Sequence, residues 1–192
     1  MRRPPAALAL ALATMGAAVG GCADPVGDLD RERLRELART PGDAVGDLHS
    51  GSWTTLFELE RCTCLELAQS FSPCVPSEPP VPLVGTLALV EADGLLASSF
   101  SLQLSNGNRL GATFSGGVDA DGSFVLAAVR HDSTVGVTSD LLSRIDGAFD
   151  EDGGASFEAT LAVRLATSLA VEVEGLPQHL DCRGDYSLTG TR

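Results

Sequence analysis

From Ser52 to the C-terminus the chain alternates apolar and polar residues in runs separated by turn residues. Trp53, Thr55, Phe57 and Leu59 alternate with Thr54, Leu56, Glu58 and Glu60. A period of two marks a strand with one buried face. After a Pro-rich loop, Pro73 to Pro82, a second run covers Leu83 to Val90, and Ala92-Asp93-Gly94 turns it. Leu96, Ser98, Phe100, Leu102 and Leu104 form the next face. Asn106-Gly107 is the strongest hairpin signal, because a type I′ turn needs positive φ at both central residues. Leu110, Ala112, Phe114 and Val118 return, and Asp121-Gly122 leads into Phe124, Leu126 and Ala128. A weaker run, Thr134 to Thr138, precedes Arg144–Phe149. Phe157, Ala159, Leu161, Val163 and Leu165 then oppose Glu158, Thr160, Ala162 and Arg164. Leu169, Val171 and Val173 form another run, and Leu180 to Thr189 is the last.

The pattern predicts an all-β domain of about eight to ten strands with short connections. No helical period intervenes, so the strands are expected to be antiparallel. Such a sheet must bury its apolar face by closing into an up-and-down barrel or by folding into a β-sandwich. Sequential hairpins favour the barrel. Phe114 to Gly122 and Ile145 to Gly153 echo each other, each a strand entering an Asp-x-Asp-Gly turn. Two copies read as repeated hairpin chemistry within a meander, not as a solenoid. A membrane barrel would need an apolar exterior and aromatic girdles. Here the outward positions include Glu158, Arg164, Glu172 and Glu174, and the aromatics are seven Phe, one Trp and one Tyr. The expected barrel is therefore a soluble one, apolar inside.

The N-terminus has a different pattern. Arg2 and Arg3 precede an uncharged stretch, Ala6 to Ala18, in the proportions of a signal peptide. Val19-Gly20-Gly21-Cys22 follows. This resembles the lipobox of bacterial lipoproteins. The resemblance implies cleavage before Cys22, diacylation of its thiol and acylation of its new amine. Two or three acyl chains hold a protein firmly on a bilayer. Residues 1–21 are then a lipoprotein signal peptide, 22–50 a lipidated N-terminus and acidic tether, and 51–192 the β domain. The expected location is the bacterial cell envelope. Ala23 at the next position favours the outer membrane in some Gram-negative lipoproteins, facing the periplasm or the surface. Within the tether, Asp28 to Arg39 predicts a short helix with Asp28 or Asp30 as cap and Pro41-Gly42 as stop. Leu34 and Leu37 share a face, and Leu29 extends it poorly. The mixed charges read as a solvated face, with docking to a partner as the sharper alternative.

Charge removes one class of partner. Asp and Glu total 26 against 13 basic residues, for a net charge of -13. Nucleic-acid binding rests on Lys and Arg neutralising phosphates, so it is not expected. An acidic surface also repels anionic headgroups, leaving the lipid as the attachment to the membrane and the domain standing off it. All the basic residues are Arg, and Ile145 and Tyr186 are the sole Ile and Tyr. That bias matches a GC-rich genome, so the lack of Lys marks no site.

Gly51-Ser52-Trp53 opens the first strand. It resembles the Gly-x-Trp signature of lipocalins and related calycin barrels. The resemblance implies that Trp53 plugs one barrel end and packs against an Arg near the last strand, Arg183 or Arg192. Asp185-Tyr186 lies nearer the C-terminus than that family's second motif would.

Beyond Cys22, four cysteines remain: Cys62, Cys64, Cys74 and Cys182. In an exported protein they read as two disulfides. The geometry disfavours Cys62–Cys64. That leaves 62–74 with 64–182, or 64–74 with 62–182, and both tie the first strand to the last. Zinc held by Cys-x-Cys is the alternative, against its preferred Cys-x₂₋₄-Cys spacing.

Other chemistry is sparse. His49, His131 and His179 lie far apart in sequence, and His131-Asp132-Ser133 holds triad residue types without implying triad geometry. No nucleophile elbow, zinc-protease pair or phosphate loop appears. Asp119, Asp121, Asp150 and Asp152 are weak calcium candidates, since Asp and Gly suit such turns anyway. No catalytic residue, cofactor or resident metal is expected. The leading expectation is a non-enzymatic lipid-anchored protein with a structural or interaction role, its partner another envelope protein. The alternative is a carrier barrel for a small apolar ligand, with room left by Ala112, Ala128, Ala159, Gly116 and Gly147. An envelope hydrolase without a recognisable motif ranks third.

Overall fold

The computed structural model describes residues 29–64, 83–103, 109–134, 136–150, 154–173 and 176–192. Cys22, Cys74, Asn106-Gly107 and Asp152 lie outside them. The strands are β1 (Gly51–Thr63), β2 (Leu83–Ala92), β3 (Leu95–Gln103), β4 (Arg109–Val118), β5 (Ser123–Thr134), β6 (Val137–Phe149), β7 (Ser156–Val173) and β8 (Leu176–Thr191). They pair in sequence order, all antiparallel, and β8 returns to β1 to close the barrel. The up-and-down barrel is therefore the observed fold, not the sandwich.

Two predicted breaks are absent. Leu169–Val173 continues β7, whose ladder with β8 shifts register between Ala166 and Ala170. Such an irregularity absorbs an offset without ending the strand. Thr134–Thr138 is no separate strand: Thr134 faces Val137 where β5 turns into β6.

Alternation sets the core. Trp53, Phe57, Leu87, Leu89, Leu96, Phe114, Phe124, Leu126, Ile145, Phe157, Leu161 and Leu188 form one buried interior cluster. The outward rows of the later strands carry ion pairs such as Arg144–Asp146, Arg164–Asp181 and Arg183–Asp185. Two of the small residues expected to leave room do not. A Cβ on Gly147 would sit 2.7 Å from the Phe124 ring, and one on Gly116 would collide with the Val125 carbonyl oxygen. Neighbouring atoms already occupy that space.

Residues 29–50 are attached differently from a free tether. Helix α1 (Arg31–Leu37) is capped by Asp30, whose Oδ1 accepts the Glu32 and Arg33 amides at 2.9 and 3.0 Å. Leu34 and also Leu29 are fully buried, packing with Ala127 of β5 and Leu142 of β6 on the outside of the barrel. The charged face read as solvated is exposed at Glu32, Arg33, Arg35 and Glu36, while Leu34 and Leu29, the latter read as extending the stripe poorly, pack on an apolar stripe of the same chain. A helix of this length gains its stability from such packing, not from propensity. Residues 42–50 then cross one barrel end. Gly42 N donates to Gly94 O, Ala44 N to Val118 O, and Ala120 N to Asp43 Oδ1.

Candidate functional site

One barrel end is closed by aromatic rings. Trp53 packs against Phe149 and Phe157, with ring centroids 5.4 and 5.3 Å apart, and Phe124 completes the cluster. The Arg192 guanidinium lies 4.9 Å from the Trp53 ring centroid. Its Nη1 donates to the Leu48 and Ser50 carbonyls, both at 3.2 Å, so it ties the chain end to the segment before β1. A guanidinium over an indole face adds electrostatic attraction to packing. Arg183 lies on the outward row instead, with Nε on Asp185.

The same end buries a His–Glu pair. His49 stacks on Phe149 at 4.0 Å between centroids, and its Nδ1 lies 2.9 Å from Glu91 Oε2. That oxygen also accepts the His49 amide at 2.8 Å. The sequence singles out His49 but not Glu91. The available signal was Glu91 continuing the inward row Gly85, Leu87, Leu89, where a charge must find a partner.

The weak calcium candidates are used in turns. Asp121 Oδ1 accepts the Ser123 amide and hydroxyl. Asp150 accepts the amides of Gly154, Ala155 and Ser156. Asp119 Oδ1 accepts the Asp43 amide at 3.3 Å. Among the described residues no group of three or more His, Cys, Asp and Glu could hold a metal ion. His131 does not meet Ser133 in a triad. It lies 2.7 Å from Asp140, while Asp132 pairs with Arg130. His179 is exposed at the far end of β8.

Cys64 and Cys182 form a disulfide, with Cα atoms 4.4 Å apart; this bond belongs to the first of the two connectivities left open by the sequence, whose other bond would involve Cys74, outside the described residues. It buries Cys182 with Leu180, against Leu165. Cys62 is disulfide-bonded as well.

An opening lies in the barrel wall. β4 and β5 are 10 and 12 residues long, yet they pair only over Ser115–Val118 and Phe124–Ala127. Beyond that register the strands part. β4 still pairs with β3 there, and β5 with β6, so each keeps its other neighbour. The gap holds a cavity of about 580 Å³. Phe100, Ala112, Ala128, Arg130, Leu141 and Ser143 line it from the inward rows, with Thr113, Val129 and His131 from the outward rows. The cavity therefore passes through the wall. Of the small residues expected to leave room, Ala112 and Ala128 do so here.

The carboxylates that hold this architecture make it acid-sensitive. Burial raises the pKa of Asp140, but hydrogen bonds from His131 and Arg31 outweigh it and set the net shift downward. Arg31 begins α1, so Asp140 clamps the helix to β6. The Ser156 hydroxyl, with backbone amides, lowers Asp150, and the Ser123 hydroxyl and amide lower Asp121. Groups held below their ordinary value add stability above the unfolded-state pKa, roughly 3.9 for Asp. That stability is lost as pH falls through the native values. The urea midpoint should hold steady down to about pH 4 and drop below it. A midpoint unchanged well into acid would show that these carboxylates contribute nothing.

No protein-family model matches this chain, and no curated protein matches it.

Proposed function

We propose that this is a lipid-anchored protein of the bacterial cell envelope whose barrel binds a small, largely apolar ligand. One observation carries the binding role: the cavity of about 580 Å³ that enters the barrel between β4 and β5. Small-molecule sites are concave, mostly apolar and roughly 300–1,000 Å³ in volume. The opposite end is packed shut by Trp53, Phe149 and Phe157, so a ligand would have a closed floor behind it. Arg192 over Trp53 supports the likeness to lipocalin-type barrels.

The anchor rests on Val19-Gly20-Gly21-Cys22. Leu29, the first of the described residues and packed on the barrel, lies seven positions after Cys22. At about 3.3–3.6 Å per residue, that linker keeps the barrel within about 25 Å of the acylated cysteine. The carrier would work at the outer-membrane surface rather than far from it.

A specific observation also favours a partner-binding role. Val45, Leu48, Val90 and Leu95 are exposed on or beside the plugged end, Val45 to 89%. Exposed apolar groups that cluster mark interaction surfaces.

Native mass spectrometry of the exported protein, with its disulfides formed, separates the two. A noncovalent adduct of small-molecule mass that leaves on denaturation is expected. A bare protein mass, with no apolar ligand taken up on addition, would sink the carrier reading and favour the partner role.

A further inference from the structure

The wall opening has a polarity that the carrier reading leaves unused. A second cavity, of about 270 Å³, lies between α1 and the parted strands. It shares Thr113, Ala128 and Val129 with the first, so the two adjoin. The inner cavity is lined by Phe100, Ala112 and Leu141, with Ser143 and Arg130 on the same inward rows. The outer one is lined by Arg35 and Arg39 of the helix segment. Among the described residues, the basic side chains lining the two cavities are Arg35, Arg39, Arg130 and His131, and no carboxylate lines either.

That sign is opposite to the protein's own. The chain carries 26 acidic and 13 basic residues. Arg130 is already paired with Asp132, and His131 with Asp140. Arg35 and Arg39 are exposed and form no salt bridge among the described residues. An unpaired pair of guanidinium groups beside an apolar slot suits a carboxylate or phosphate, which each can bind bidentately. A cationic head would meet the same two charges as repulsion.

The geometry points to an anionic amphiphile as the ligand: its tail enters between β4 and β5, and its carboxylate or phosphate head stays outside at Arg35 and Arg39. This rests on the carrier reading and adds the head-group to it. The helix that the sequence presented as a tether thereby becomes part of the site. It is fixed there by Leu34 against Ala127 and Leu142 and by Arg31 against Asp140.

Calorimetric titration of the exported protein with dodecanoate, dodecyl phosphate, dodecanol and dodecyltrimethylammonium tests it. These share a tail and differ in the head. One or both anions should bind about tenfold or more tightly than the alcohol, with the cation weakest. Arg35→Glu with Arg39→Glu should abolish that preference, bringing both anions to or below the affinity of dodecanol. Both residues are exposed, so the variant should keep the barrel, and an unchanged melting temperature would confirm it. Equal binding of anion, alcohol and cation would overturn the head-group assignment while leaving the carrier intact. So would an anion preference that survives the double variant. Binding of none of the four would overturn the carrier reading with it.

Discussion

Trp53→Ala is expected to cost about 3–5 kcal/mol, the range for removing a large buried aromatic. Trp53 is fully buried. It touches Phe149 and Phe157 and lies beneath Arg192, so its loss opens a void that three neighbours cannot all fill. The barrel resists collapse, because the strands bearing those rings are held by ladders on both sides. Urea unfolding should show a lower midpoint with little change in slope. Part of the loss should persist in Trp53→Phe, which keeps a ring but surrenders indole area. A cost below about 1 kcal/mol for the alanine variant would mean that the plugged end relaxes freely and that Trp53 does not close it.

Replacing both Cys64 and Cys182 with serine should have an effect of similar size through the opposite state. The two residues are 118 apart in sequence. Cross-links over such spans restrict the unfolded chain by about 4–5 kcal/mol in the loop-entropy account, an upper figure. The native barrel should change less, since β1 and β8 also pair from Thr54 to Thr63. The signature is therefore a fall in stability with a steeper urea dependence, as the freed unfolded chain exposes more surface. A stability loss without the steeper slope would place the effect in the folded state instead, at the small buried cluster of Leu180, Cys182 and Leu165.

Much of the fold was legible in the residue pattern because alternation in a barrel records a single fact, which side faces in. Trp53, Phe57, Phe114, Phe124 and Phe157 are all assigned inward by parity, and all are buried. Strand count was less legible. Register shifts keep a ladder going through residues that break the pattern, as between Ala166 and Ala170 in β7. The disulfide partners could be narrowed to two arrangements but not chosen, because Cys62 and Cys64 lie two residues apart at the end of β1 and the choice depends on the register that β8 takes beside them.

The parts most relevant to binding were not legible. α1 was visible as a helix, with its Asp30 cap, but its charged face gave no hint that Leu29 and Leu34 would pack on a barrel. That destination depends on small outward residues, Ala127 and Ala162, drawn together from different strands. Nor does anything local predict that β4 and β5 separate. Each is a sound strand by itself, and a gap is a property of the pair.

The sequence by itself determined the class of structure and its inside. Period-two alternation, turn residues and short connections specify an antiparallel meander, and the apolar parity specifies its core. Tertiary structure alone decided the rest: which ends close, where the wall opens, and that a helix bearing Arg35 and Arg39 stands beside that opening. The physical reason is range. Alternation and turns act between near neighbours in the chain, whereas a cavity is set by how distant strands and one docked helix share space.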